Sequence, residues 1–126
     1  SSTGAASAIG LVIPNLAGKL NGSALRVPTT TGSIIDLSLE LKKNTNTEEI
    51  NNIFKNNQNE TIKYTEDPIV SSDVIGMYAG ALVDGLLTDV LEVEGRQLVK
   101  IVAWYDNEMS YSAQMVRTAL YLASKM

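Results

Sequence analysis

Residues 80–105, GALVDGLLTDVLEVEGRQLVKIVAWY, decide the fold class. From Leu98 to Tyr105 the side chains fall into two alternating sets. Val99, Ile101, Ala103 and Tyr105 form an apolar face, while Leu98, Lys100, Val102 and Trp104 form a mixed one. A period of two is the mark of a strand, and apolar character on both faces suits a central one. Glu94-Gly95 sits between this run and residues 80–93, so the stretch predicts two strands joined by a hairpin with glycine in its turn.

Upstream, residues 33–43 repeat the strand pattern. Ile35, Leu37, Leu39 and Leu41 lie on one face, and Asp36, Ser38 and Glu40 on the other. Residues 23–28 are a shorter strand candidate ending at Pro28, and residues 62–75 suggest short β pieces around the turn Glu66-Asp67-Pro68. Three helices are expected. Residues 1–13 carry Ile9, Val12 and Ile13 at helical spacing, with Ser2 or Thr3 as cap and Pro14 as terminator. Residues 47–57 begin at Asn46, with Glu49 three residues on in a capping-box pattern, and place Ile50, Ile53 and Phe54 on one face. Residues 108–125 carry the stripe Met115, Thr118, Ala119 and Leu122, flanked by Val116, Leu120 and Ala123. The order helix, strands, helix, strands, helix points to an α+β fold with a mostly antiparallel, mixed sheet covered by helices on one side. No G-x-G-x-x-G follows a strand, so no dinucleotide-binding unit is indicated within residues 1–126.

Composition narrows the chemistry. The 126 residues contain neither Cys nor His, which removes thiolate chemistry, disulfides and the commonest general acid-base and metal ligand. The net charge of −4 with scattered basic residues offers no cationic stripe for nucleic acid. No apolar run is long enough to span a bilayer, and no signal-peptide pattern opens the sequence, so a cytoplasmic location is expected.

Two places could bind a ligand. Thr3-Gly4 at a helix start offers free N–H groups, and Arg26 could add a charged partner for an anion. The same residues also suit an ordinary cap and a surface arginine. Trp104-Tyr105-Asp106-Asn107-Glu108 runs from the central strand into the last helix. Asn107 there has the donor and acceptor that a carboxamide would need, with Tyr111 one turn on. Equally, Asp106 and Asn107 suit helix capping and Trp104 and Tyr105 suit a core. The carboxylate pairs Glu48-Glu49 and Glu66-Asp67 occupy a helix first turn and a proline turn, where solvation is ordinary.

Several longer motifs carry a resemblance. Ser2-Thr3-Gly4-Ala5-Ala6 with Ala8-Ile9-Gly10, the stretch LAGKLNGSALRVPT from Leu16 to Thr29, Tyr64 to Asp73 (YTEDPIVSSD) and Trp104 to Tyr111 (WYDNEMSY) stand in register from end to end. Together they resemble the C-terminal catalytic domain of the glyceraldehyde-3-phosphate dehydrogenases, bacterial type. The resemblance implies that Thr3, Gly4 and Arg26 hold phosphate, and that Asn107 and Tyr111 contact the nicotinamide of NAD. It implies a parent enzyme that oxidises glyceraldehyde 3-phosphate with NAD and inorganic phosphate, works in the cytoplasm and assembles as a homo-tetramer. It also implies that residues 1–126 are a truncated catalytic domain, with the nucleophilic Cys, its His partner and the NAD-binding Rossmann domain outside them. The expectation for this chain alone is no dehydrogenase activity and no tight NAD binding. The alternative is a non-catalytic binding or assembly module derived from that enzyme.

Overall fold

The structure is a computed structural model that describes residues 4–126. The chain divides into two units, residues 1–30 and residues 31–126. In the first, helix α1 (Ala5–Val12) is followed by a single 3-10 turn, Pro14–Leu16. Ile13 sits between them at φ −123°, ψ 84°, the non-helical geometry that a following proline imposes. The predicted caps Ser2 and Thr3 lie outside the described residues. The predicted strand over 23–28 does not form; these residues make no ladder. A strand exists only by pairing, and residues 23–28 find no partner strand among the described residues.

The second unit is built on a five-stranded sheet of β1 (Ser33–Leu39), β2 (Ile62–Thr65), β3 (Ala81–Asp84), β4 (Asp89–Val93) and β5 (Arg96–Tyr105). Helices α2 (Thr47–Asn56) and α3 (Met109–Ala123) complete it. The strand order is β1-β5-β3-β2, and β4 also pairs with β5. Only β2 and β3 run parallel, so the sheet is mixed and mostly antiparallel, as expected for α+β. β5 is central. β1 occupies one of its edges, and β4 and then β3 follow each other along the other.

The hairpin turn is Glu94-Gly95, with φ +53° and +77°. Positive φ at both central residues matches the twist of the flanking strands. Register brings the two expected apolar faces together: Ile35 lies opposite Ala103, Leu37 opposite Ile101 and Leu39 opposite Val99. On the reverse face Asp36 pairs with Lys100 at 3.1 Å. Val74, Val83, Val99 and Val102 are buried, with Ile50 of α2 and Ala79.

Several boundaries differ from the sequence reading. Residues 80–93 are two strands rather than one. Oδ1 of Asp84 accepts from the Leu86 amide at 3.1 Å and its backbone carbonyl accepts from the Thr88 hydroxyl at 3.2 Å, which closes a turn. Residues 62–75 hold one strand, then a 3-10 turn at Ser71–Val74, where Asp73 accepts from the Val70 amide at 2.7 Å. β1 stops at Leu39, and its expected half-burial is not realised: Ile35 and Leu37 are about as open as Ile34 on the opposite face. Strand pairing covers an edge and not a face, and among the described elements no helix packs extensively over β1. The stripe of α3 is likewise exposed at Met115, Val116, Leu120 and Leu122. α2 follows the sequence closely. The Asn46 side chain accepts from the Glu49 amide at 2.9 Å, while the Glu49 carboxylate takes the Thr45 hydroxyl at 3.0 Å.

Candidate functional site

The turn between β5 and α3 is the most organised polar region of the second unit. β5 ends where Asp106 leaves the ladder. Its side chain is 3% exposed and every oxygen is used. Oδ2 accepts from the Gly76 amide at 2.7 Å, and Oδ1 accepts from the Glu108 and Met109 amides at 2.8 and 2.9 Å. Those last two bonds satisfy the first free N–H groups of α3, so Asp106 is the effective cap. The bonds from the Gly76 and Met109 amides stabilise the carboxylate and hold its pKa down at about 2. The Asp106 amide in turn donates to the Ser110 hydroxyl at 3.1 Å, and Ser110 donates to the Met77 carbonyl at 3.1 Å.

Asn107 does not cap. Its side chain crosses to the segment before β1. Oδ1 accepts from the Gly32 amide at 3.2 Å and from the Ser33 hydroxyl at 3.1 Å. Nδ2 donates to Oε1 of Glu108 at 2.8 Å, and Oε2 of Glu108 accepts from the Thr31 hydroxyl at 2.6 Å. Asn107 remains exposed, and Tyr111 on the first turns of α3 is 70% exposed. Beside them a shallow hollow of about 440 Å3 is lined by Thr31, Ile75, Gly76, Asp106, Glu108, Met109 and Ser112.

The two sequence readings of this turn therefore divide between residues. Asp106 does the capping, while Asn107 does not cap and its exposed carboxamide is bonded to Gly32, Ser33 and Glu108. Trp104 and Tyr105 are half-buried, and the Trp104 indole N–H donates to Oδ2 of the buried Asp84 at 2.9 Å. Sequence reasoning missed Thr31, Gly32, Ser33 and Gly76. Of these, Gly32 is tied to its place by the backbone, since φ there is +91° and a Cβ would lie 2.7 Å from the Ser71 carbonyl oxygen.

For the anion site, Thr3 lies outside the described residues. Gly4 stands at the start of α1, and Arg26 is exposed on irregular chain. The acidic pairs stay solvated. Glu66 is exposed between Tyr64 and Lys55, and their hydrogen bonds, Tyr64 first, lower its pKa. Among the described residues no cluster of Asp and Glu could hold a metal ion, and no helix is long and apolar enough to cross a membrane.

Comparison with known proteins adds a family. The family model described as glyceraldehyde 3-phosphate dehydrogenase, C-terminal domain, matches residues 1–107. A glyceraldehyde-3-phosphate dehydrogenase of Streptococcus pyogenes is 59% identical over 122 residues, covering 97% of this chain. Proteins of the same name from Streptococcus dysgalactiae subsp. equisimilis and Clostridium acetobutylicum are each 58% identical over the same length. The chain spans 36% of the length of each of these relatives.

Proposed function

The chain belongs to the glyceraldehyde 3-phosphate dehydrogenase C-terminal domain family, and on that premise we propose that it supplies the phosphate and nicotinamide contacts of a phosphorylating dehydrogenase. Residues 1–126 are the later part of the catalytic domain, and the Rossmann domain lies outside them. Thr3, Gly4 and Arg26 take the phosphate of glyceraldehyde 3-phosphate or inorganic phosphate. Asn107 hydrogen-bonds the nicotinamide carboxamide of NAD, and Tyr111 borders the same pocket. The parent enzyme is cytoplasmic and assembles as a homo-tetramer.

The observation that supports this best is the turn at Asp106–Glu108. A buried, fully bonded aspartate fixes the backbone while the next residue keeps an exposed carboxamide. An exposed amide on a fixed backbone is of the kind a planar amide ligand can use.

The reaction divides the labour clearly. A thiolate attacks the aldehyde carbon to form a hemithioacetal, hydride leaves to NAD to give a thioester, and phosphate displaces the thiolate to release acyl phosphate. This chain has no Cys to attack and no His to take the proton. Its own residues bind and orient; they do not break bonds. With glyceraldehyde 3-phosphate, NAD and phosphate, the 126-residue chain produces no NADH above a buffer blank. Turnover by contaminant-free protein would refute this. The phosphate assignment is tested by 31P titration: Arg26→Ala weakens phosphate binding, and unchanged binding removes Arg26 from the site.

A second reading, an assembly module, is favoured by one observation. Ile35 and Leu37 on β1 and Leu120 and Leu122 on α3 are 40–66% exposed, which suits burial against other protein surface. The two readings are compatible, since a domain that contacts cofactor can also be held in an oligomer.

A further inference from the structure

The carboxamide of Asn107 is held from both ends, and its holders come from two separate parts of the sequence. The Gly32 amide can only donate, so the atom facing it at 3.2 Å is the oxygen of Asn107. The Ser33 hydroxyl, at 3.1 Å, donates to the same oxygen. The nitrogen of Asn107 is thereby turned toward Glu108, whose Oε1 accepts from it at 2.8 Å. Glu108 is braced in turn, because its Oε2 accepts from the Thr31 hydroxyl at 2.6 Å. Every group in this ring has the polarity its neighbour needs, and reversing the amide would set Nδ2 against the Gly32 N–H. One N–H of Nδ2 stays uncommitted among the described residues, and it belongs to an exposed side chain.

We propose that Ser33 and Glu108, with the Gly32 amide, are positioning residues that lock Asn107 in one amide orientation, so that it offers N–H and not C=O to its ligand. This deepens the reading of Asn107 as a nicotinamide contact and rests on it for the identity of the ligand. The ligand group matched by the lock is a carbonyl oxygen. Gly32 is integral to the device. Its φ of +91° and the 2.7 Å that a Cβ would leave to the Ser71 carbonyl reserve the position for glycine, which keeps the amide aimed at Asn107.

The test is NMR on the 15N-labelled 126-residue chain. In the wild type, the Nδ2 proton of Asn107 that faces Glu108 exchanges slowly with water and shows an NOE to the Glu108 side chain, while the uncommitted one exchanges fast. In Ser33→Ala and in Glu108→Ala the exchange quickens by about fivefold, the factor matching one lost hydrogen bond. Ser33→Thr restores the hydroxyl, and Glu108→Gln retains an acceptor, so both keep exchange slow. A merely structural role would not sort the four variants by hydrogen-bonding capacity. The Val99 and Trp104 signals report whether each variant is folded, and Glu108→Ala, on an exposed side chain, keeps the test open if Ser33→Ala unfolds. Unchanged exchange in folded Ser33→Ala and Glu108→Ala overturns the lock, as does an NOE pattern that puts the amide protons beside Gly32. Titration with nicotinamide mononucleotide separates the ligand from the lock. Shifts at the Asn107 side chain support both, whereas slow exchange without shifts supports the lock alone, and the nicotinamide assignment then falls only if Asn107→Ala leaves the KM for NAD unchanged in a chimera with the full-length relative.

Discussion

The Gly76 amide donates to Oδ2 of Asp106 at 2.7 Å across thirty residues of sequence. It ties the loop before β3 to the start of α3 and leaves the turn no freedom to drift. Because that bond and the Met109 bond favour the charged carboxylate, the Asp106 pKa falls from 3.8 to about 2. A group with a depressed folded pKa stabilises the fold fully above its unfolded pKa, and that stabilisation is lost as pH falls through the folded value. Urea midpoints should therefore drop between about pH 4 and pH 2, and Asp106→Asn should flatten this part of the profile while lowering stability at pH 7. An unchanged slope in the variant would detach Asp106 from acid stability.

Tyr64 titrates at the other end of the scale. Burial and, secondarily, its hydrogen bond to Glu66 at 2.9 Å push its pKa up to about 12. Here the sign reverses: the contribution is complete below the ordinary value of 10.0 and disappears as pH rises toward 12. Ultraviolet titration of tyrosinate should show one late-ionising tyrosine. Glu66→Gln should bring it down only partway, since burial is the larger cause. A full return to 10.0 would mean that Glu66 dominates instead.

Gly32→Ala should cost about 1–3 kcal/mol, the usual range for strained backbone. It demands positive φ from a side-chain-bearing residue and pushes a Cβ against the Ser71 backbone. Chemical denaturation measures it directly, and a neutral result would show that the turn can rearrange.

At the hairpin, Glu94 holds φ +53° without being glycine. Glu94→Asn would give the Asn-Gly pair that such turns favour and should stabilise by a few tenths to about 1 kcal/mol. Loss of stability would indicate that Glu94 makes a contact worth more than the strain.

Much of the second unit was legible because its signals are local. The alternation from Leu98 to Tyr105, the glycine at 95 and the Asn46–Glu49 cap each span a few residues, and β5, its turn and α2 followed. The break at Gly85 was hidden, because it depends on where the Asp84 side chain bonds rather than on hydropathy. Burial failed as a forecast for Ile35 and Leu37, since alternation says which face is apolar but not what covers it. Residues 23–28 had strand-like composition but join no sheet ladder among the described residues. At the site, Asn107 stood out through its position between strand and helix. Its holders Gly32 and Ser33 lie more than seventy positions away, and only the pairing of β1 with β5, Ser33 opposite Tyr105, brings them together.

The most direct measurement is made on a chimera in which this chain replaces the corresponding part of the Streptococcus pyogenes relative, 59% identical to it. The relative then supplies the remaining length, and NADH formation is followed with glyceraldehyde 3-phosphate, NAD and phosphate. The account predicts phosphate-dependent turnover by the chimera and none by the 126-residue chain. It further predicts that Asn107→Ala raises the KM for NAD and that Arg26→Ala raises the KM for phosphate. A folded chimera without activity, or one indifferent to both substitutions, would contradict the claim that these residues are the cofactor and phosphate contacts of a dehydrogenase.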